Sequence, residues 1–85
     1  MRLRLSKPFL KEYAKLHLAT RKKVDRQVRF LVADLRHPSL CAKKIRGRKD
    51  IWEVRVAYHH RLTFQIVGET IVLRRVGSHD ILKKP

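Results

Sequence analysis

Five side chains in the last third of the chain have the types and spacing that chemistry on a phosphodiester requires. Apolar and polar residues alternate there, which predicts three strands with Glu53, Arg55, Arg61 and Arg74 on one polar face. His79 follows just past a glycine. Metal-independent cleavage of RNA needs a base for the 2′-hydroxyl proton, cations for the phosphorane oxygens and an acid for the leaving 5′-oxygen. The sequence therefore predicts a basic sheet face that binds and cuts RNA.

The chemistry of these residues suggests their roles. Arg55 and Arg61 carry planar guanidinium groups that match phosphate oxygens, and neighbouring arginines repel one another unless an anion is expected. Glu53 either pairs with one of these arginines or acts as the general base. His79 suits acid–base chemistry near neutral pH. Strict alternation would direct His79 toward the opposite face, so its place at the site depends on a bend at Gly77–Ser78.

A dense basic cluster precedes the three strands and predicts contacts with the phosphate backbone of RNA. The alternative is an exposed loop with no target. The cluster consists of Lys43, Lys44, Arg46, Arg48 and Lys49.

The loop between the first two of these strands carries three further candidates for RNA contacts. Tyr58 either stacks on a base or packs against its own loop. His59 and His60 are possible auxiliary acids or bases. We expect no metal at this pair, because no carboxylate or cysteine follows at ligand spacing, and the sequence predicts no cofactor.

The charge balance points to polyanionic partners. Twenty-two Lys and Arg residues stand against seven Asp and Glu residues in a chain of 85, a formal net charge of +15. Such a chain is expected to meet nucleic acid, the ribosome or an acidic protein. Its length predicts one domain, residues 1–85. The single Cys41, which we expect to be buried or half-buried, cannot form an intrachain disulfide and fits a reducing cytoplasm. No window suits a signal peptide or a membrane span.

The remaining elements follow from hydrophobic periodicity. A short strand is predicted at Arg2–Leu5, then a helix over about 6–17 that Ser6 caps. Thr20 can cap a second helix, which Pro38 would end. A further short strand is predicted within residues 42–46. The predicted fold is α+β: an N-terminal helical hairpin packed on one face of a four- to five-stranded, mostly antiparallel sheet.

Strand register decides which side chains share the polar face. A three-residue loop, Tyr58–His60, pairs Val54 with Phe64 and Arg55 with Thr63, and it places every apolar residue on one side. A two-residue loop would instead place an arginine beside a leucine.

The next turn fixes the third strand. Gly68–Glu69 suits a type II′ hairpin, with glycine at the first central position. This turn pairs Phe64 with Leu73 and Thr63 with Arg74, which would bring Arg74 to the polar face.

Six short motifs, in this order and spacing, resemble the RelE/ParE toxin superfamily, most closely its RelE, YoeB and YafQ type of messenger-RNA interferase. The resemblance spans almost the whole chain. The motifs are Lys7–Lys11, His37–Leu40, Lys44–Gly47, Ile51–Arg55, His60–Phe64 and Arg75–Asp80.

The resemblance implies a toxin of a type II toxin–antitoxin system. Such toxins cleave messenger RNA in the A site of the 70S ribosome without a metal, and a partly disordered acidic antitoxin wraps them in a hetero-oligomer. Matched by position, Arg61 is the strand arginine that contacts the scissile phosphate. Glu53 falls where relatives place a lysine or a carboxylate base, Arg55 where they place lysine or histidine, and His79 where they place histidine or arginine.

One departure leaves a second interpretation open. Many active relatives carry an aromatic residue just after the final histidine, whereas residues 80–85 contain none. The ParE branch shares the fold but acts on DNA gyrase and does not cut RNA. The alternative is therefore a non-catalytic gyrase-directed toxin, or an inactive module that binds nucleic acid or antitoxin.

Overall fold

The computed structural model describes all residues of the chain, 1–85, as five strands and two helices with two short 3₁₀ segments. In chain order these are β1 (Arg2–Leu5), α1 (Lys7–Ala14), α2 (Leu18–Ala33), a 3₁₀ turn (Pro38–Leu40), β2 (Lys43–Lys44), β3 (Trp52–Ala57), β4 (His60–Val67), β5 (Thr70–Ser78) and a C-terminal 3₁₀ helix (His79–Lys83). No helix is long and apolar enough to cross a membrane.

The strands form one sheet in the order β1-β5-β4-β3-β2. Only β1 and β5 run parallel, and the other neighbours are antiparallel. Both helices bury their apolar stripes against one face of this sheet, where Phe9 of α1 and Val24 and Leu31 of α2 join one core with Leu62 and Phe64 of β4. The predicted α+β architecture is confirmed.

The first helix starts where predicted and ends earlier. The hydroxyl of Ser6 accepts a hydrogen bond from the Phe9 amide (3.2 Å) and donates one to the carbonyl of Arg74 (2.9 Å). Ser6 therefore caps α1 and fastens its start to β5. The helix ends at Ala14 rather than near residue 17, because the chain must turn before α2 begins at Leu18.

The predicted bounds of α2 were wrong at both ends. The capping position is His17, and Thr20 lies inside the helix. The helix ends at Ala33, so Pro38 is not the residue that ends it. The Asp34 carboxylate accepts the amide N–H of Arg36 at 3.0 Å, and this local turn competes with further helix.

The register between β3 and β4 differs from both predicted alternatives. Val54 pairs with Leu62 and Arg55 with Arg61, not with Phe64 and Thr63. The connection is the two-residue turn 58–59, and a bulge between Arg55 and Ala57 takes up one residue. A bulge opposes two residues to one, so the alternation of apolar side chains survives the shorter loop.

The β4–β5 hairpin has the predicted turn, and Gly68 has a φ of +60° that suits its first central position. The predicted pair of Phe64 with Leu73 is confirmed. A second bulge follows, so Thr63 pairs with Arg75 rather than with Arg74. This shift changes the composition of the polar face.

Candidate active site

An open cavity of about 480 Å³ lies at one end of the sheet, between the β3–β4 turn and the end of β5. Two arginines and two histidines line it, with one carboxylate at its rim. The lining residues are Arg55, Tyr58, His59, Arg61, Ser78, His79 and Asp80.

The end of β5 brings His79 into this cavity. The strand stops at Ser78, and the Ser78 hydroxyl accepts the amide N–H of Asp80 at 3.3 Å. Ser78 thereby caps the C-terminal 3₁₀ helix, whose first residue is His79. The bend on which the sequence prediction depended is present, and the exposed imidazole of His79 shares the cavity with Arg55 and Arg61.

Arg61 is held in place by the turn that precedes it. Its Nη1 donates to the carbonyl oxygens of Ala57 (2.8 Å), His60 (2.9 Å) and Tyr58 (3.3 Å). Its Nε and Nη2 have no hydrogen-bond partner in the protein, which leaves donors free for an anion. Because one nitrogen is fixed, the guanidinium loses less freedom when it binds a phosphate.

A smaller recess of about 140 Å³ adjoins the cavity and contains Glu53 beside Lys43, Cys41 and the same three residues, Arg55, Arg61 and His79. Glu53 Oε1 lies 4.0 Å from Lys43 Nζ. The sequence alternative of an ion pair between Glu53 and one of the two arginines was wrong, because β2 places Lys43 directly opposite Glu53.

Cys41 is also placed differently from the prediction. It is exposed rather than buried, because its backbone is left-handed, with a φ of +47°, at the end of the first 3₁₀ turn.

The second bulge removes Arg74 from the predicted cluster. Arg74 Nη1 donates to Gln65 Oε1 at 2.7 Å, and its Nε donates to the main-chain oxygen of Pro85 at 3.1 Å. Arg74 does not line the cavity with Arg55 and Arg61. The predicted pairing of Arg74 with Thr63 was therefore wrong, because the bulge shifts the pairing of β5 by one residue, and Arg74 binds Gln65 and Pro85 instead of lining the cavity.

The basic cluster has several distinct environments. Lys43 faces Glu53, and Lys44 Nζ lies 5.5 Å from the centre of the Trp52 ring. Arg48 Nη2 donates to the carbonyl of Lys83 at 2.6 Å, which joins the loop to the C-terminal segment. Arg46 and Lys49 are exposed. Of this cluster, only Lys43 lines the recess that contains Glu53.

The ring side chains at the β3–β4 turn, Tyr58, His59 and His60, also lie in different environments. Tyr58 is 85% exposed, and its only aromatic neighbour is His59, whose ring meets it edge-on at 4.6 Å. His60 pairs with Ser78 in the sheet and does not line the cavity. No group of three or more His, Cys, Asp or Glu side chains is arranged to hold a metal ion.

Sequence reasoning missed Gln27, which positions the strand that carries Arg55. Gln27 is buried, and its Nε2 donates to the carbonyls of Arg55 (2.7 Å) and Ser39 (3.0 Å). The signal was present: Gln27 interrupts the apolar stripe of α2 three residues after Val24 and four before Leu31. A polar residue at a core position needs partners, and here they are backbone carbonyls.

The arrangement can bind an oxyanion between Arg55 and Arg61 and hold an imidazole beside it. A carboxylate lies in the adjoining recess. These groups are two cations, an imidazole and a carboxylate, and they line two depressions that share Arg55, Arg61 and His79.

The chain matches a known family of proteins. Residues 3–82 match the family described as ParE toxin of type II toxin–antitoxin system, parDE. No relative is found among curated protein sequences.

Solved structures share the fold at low sequence identity. A chain of the RelB–RelE antitoxin–toxin complex from Methanococcus jannaschii superposes with a TM-score of 0.77 at 21% identity, over 94% of either chain. A YoeB/ParE toxin from Agrobacterium tumefaciens gives 0.80 at 14% identity, over 93% of this chain and 99% of that one. The isolated RelE toxin of E. coli gives 0.73 at 21%, over 91% and 82%.

Proposed function

The chain belongs to the ParE toxin family of type II toxin–antitoxin systems. From the side chains that meet in its cavity, we propose that this toxin cleaves messenger RNA without a metal. The family match confirms the predicted membership of the RelE/ParE superfamily, without deciding between its branches. The proposed site of action is the ribosomal A site, where cleavage would inhibit translation. The observation that carries the proposal is the convergence of Arg55, Arg61 and His79 on one cavity.

The proposed reaction assigns one task to each group. Glu53 takes the proton of the 2′-hydroxyl, and the 2′-oxygen attacks the adjacent phosphorus. Arg55 and Arg61 bind the non-bridging oxygens as negative charge builds on them. His79 gives a proton to the departing 5′-oxygen as its bond to phosphorus breaks. The products are a 2′,3′-cyclic phosphate and a free 5′-hydroxyl.

The surrounding basic residues would hold the RNA. Phosphate contacts are proposed for Lys43, which lines the recess, and for Lys44, Arg46, Arg48 and Lys49, which follow it in the chain with exposed side chains. Tyr58 and His59 line the main cavity and have exposed rings that suit stacking on a base.

An acidic antitoxin is the proposed protein partner in the cell. A net charge of +15 disfavours an isolated compact chain, and an acidic polypeptide would relieve the self-repulsion. The RelB–RelE complex has the same toxin fold, which supports a hetero-oligomer of this type.

The test is primer extension on a reporter messenger RNA after brief induction of the protein in cells. We expect cuts that require translation and that vanish in Arg61→Ala and His79→Gln. Arg36→Ala, an exposed arginine outside the cavity, is the matched control and should leave the cuts unchanged.

A gyrase-directed toxin is the second candidate, because the matched family is that of ParE and residues 80–85 lack an aromatic side chain. It predicts intact messenger RNA during growth arrest, together with induction of the DNA-damage response. That outcome would make the arginine cavity a binding surface only.

A further inference from the structure

A second basic depression opens beside the candidate active site, between α2 and β3. Its volume is about 260 Å³, and its lining consists of Lys23, Arg26, Gln27, Ser39, Arg55 and Val56. Arg55 also lines the main cavity and the adjoining recess, so the depressions meet at that residue. We call the depression between α2 and β3 the α2 groove.

The free polar groups that line the α2 groove are cationic. Lys23 and Arg26 are exposed side chains one helical turn apart, with neither in an ion pair. Gln27 is already committed, because its amide nitrogen donates to two carbonyls and its Oε1 receives the Ser39 hydroxyl at 3.4 Å. A ligand in the groove would therefore meet mainly the two cations of α2, Lys23 and Arg26.

The acidic residue of α2 points away from the groove. Asp25 accepts a hydrogen bond from the Tyr13 hydroxyl at 2.6 Å, on the side where α1 lies. No carboxylate lines the groove to neutralise Lys23 and Arg26. Lys23 and Arg26, without a counter-charge, form a site for an anion. Arg55 lines both this groove and the main cavity, and this continuity suggests a chain of anions.

We propose that the α2 groove binds a backbone phosphate of the same RNA strand whose scissile phosphate lies between Arg55 and Arg61. Lys23 and Arg26 would hold the phosphate of a nearby nucleotide and fix the path of the strand. This inference rests on the proposed nuclease function and deepens it, by adding a subsite that positions the substrate away from the bond that is cut. The phosphate contact is independent of base sequence.

The test is the affinity of the purified protein for a single-stranded 2′-O-methyl oligoribonucleotide, measured by fluorescence anisotropy over a range of salt concentrations. This probe has no free 2′-hydroxyl and cannot be cut. We compare wild type with the double variant Lys23→Gln/Arg26→Gln. The matched control is Lys22→Gln/Arg29→Gln, which removes the same two charges from exposed positions of the same helix outside the groove.

We expect the groove variant to bind about tenfold more weakly than wild type, and we expect its salt slope to be smaller by about 0.7 for each phosphate that the variant no longer binds. The control should stay close to wild type. Equally weakened binding in both variants would reduce the effect to net charge and overturn the inference. Undiminished RNA affinity in the groove variant, with weakened binding of an acidic peptide, would assign the groove to a protein and also overturn it.

Cleavage separates this inference from the function on which it rests. A wild-type protein that cuts ribosome-bound messenger RNA, with a groove variant that retains full RNA affinity, contradicts the subsite alone. If wild type binds the oligonucleotide through the groove but cuts no messenger RNA, the nuclease function is contradicted. The α2 groove would then be a phosphate-binding site without a role in cleavage. A wild-type protein with no measurable affinity for the oligonucleotide contradicts the subsite.

Discussion

Arg55 and Arg61 are directly opposed across β3 and β4, and neither forms an ion pair with a carboxylate. Like charges at directly opposed positions of an antiparallel pair are destabilising. The bulge after Arg55 creates this pairing, since either regular register would have separated the two arginines. The arrangement opposes stability in the free protein and favours a bound anion.

Inorganic sulfate should therefore stabilise the protein through this pair. A ligand that binds only the folded state raises the midpoint of thermal unfolding. We expect a sulfate-dependent increase in the midpoint for wild type and a smaller one for Arg55→Gln. Arg29→Gln removes the same charge at an exposed position of α2 and serves as the control. An equal increase in the midpoint for both variants would mean that the stabilisation by sulfate depends only on net charge.

Arg61→Lys keeps the charge but removes the fork of donors. Lysine cannot bind three carbonyls of the β3–β4 turn and still present fixed donors to a phosphate. We expect the cleavage rate to fall about 100-fold and the free energy of unfolding to fall by about 1 kcal/mol. Both are measured on purified protein, the second by urea denaturation. Near-wild-type cleavage by Arg61→Lys would show that charge alone suffices.

Ser78→Ala should displace His79 without removing it. The hydroxyl that this substitution deletes caps the C-terminal 3₁₀ helix through the Asp80 amide, and deletion of a cap costs about 1 kcal/mol. We expect slower cleavage with an unchanged affinity for uncleavable RNA, because the phosphate contacts remain. Ser78→Thr retains a hydroxyl and should recover most of the rate. If Ala and Thr variants cut equally fast, the cap does not position His79.

Gln27→Leu should destabilise the fold between α2 and β3. The substitution leaves the carbonyls of Arg55 and Ser39 without their buried donor, which costs about 2 kcal/mol. Urea denaturation measures the difference. Arg29→Leu, at an exposed position of the same helix, should change the free energy of unfolding by less than about 0.5 kcal/mol. A similarly small effect for Gln27→Leu would show that the hydrogen bonds of Gln27 do not stabilise the contact between α2 and β3.

Tyr13 should ionise at a higher pH than a free tyrosine. The hydrogen bond to Asp25 is the main cause that raises the pKa of Tyr13 above 10.0, followed by burial. The neutral phenol is the donor, so its stabilising contribution is present below the unfolded pKa and is lost as pH rises through the folded one. Absorbance at 295 nm follows the ionisation. Asp25→Asn should lower the pKa of Tyr13, and an unchanged titration would contradict the hydrogen bond.

The sequence predicted the fold and most of the residues that share the cavity, because both depend largely on periodicity. Alternation in β3 and β4 fixed which side chains face the helices, and that result survived an incorrect register because a bulge preserves the faces. The bend at Ser78 was predictable from the glycine and serine before His79. These features are local.

The errors in strand register have a common physical origin, because bulges depend on tertiary packing rather than on local sequence. One bulge paired Arg55 with Arg61, and the other moved Arg74 to Gln65 and Pro85. The pairing of Glu53 with Lys43 depends on the two-residue strand β2, whose register no periodicity could fix. Gln27 was visible as an interruption of a stripe, but its carbonyl partners lie far away in sequence.

The most direct test of the central claim is cleavage of messenger RNA on programmed ribosomes by the purified protein, with identification of the new RNA ends. We expect a cut in the A site that leaves a 2′,3′-cyclic phosphate and a 5′-hydroxyl for wild type and for Arg36→Ala. We expect no cut for Arg61→Ala or His79→Gln, although both variants stay folded. Intact RNA with the folded wild-type protein, or full activity in both cavity variants, would contradict the central claim.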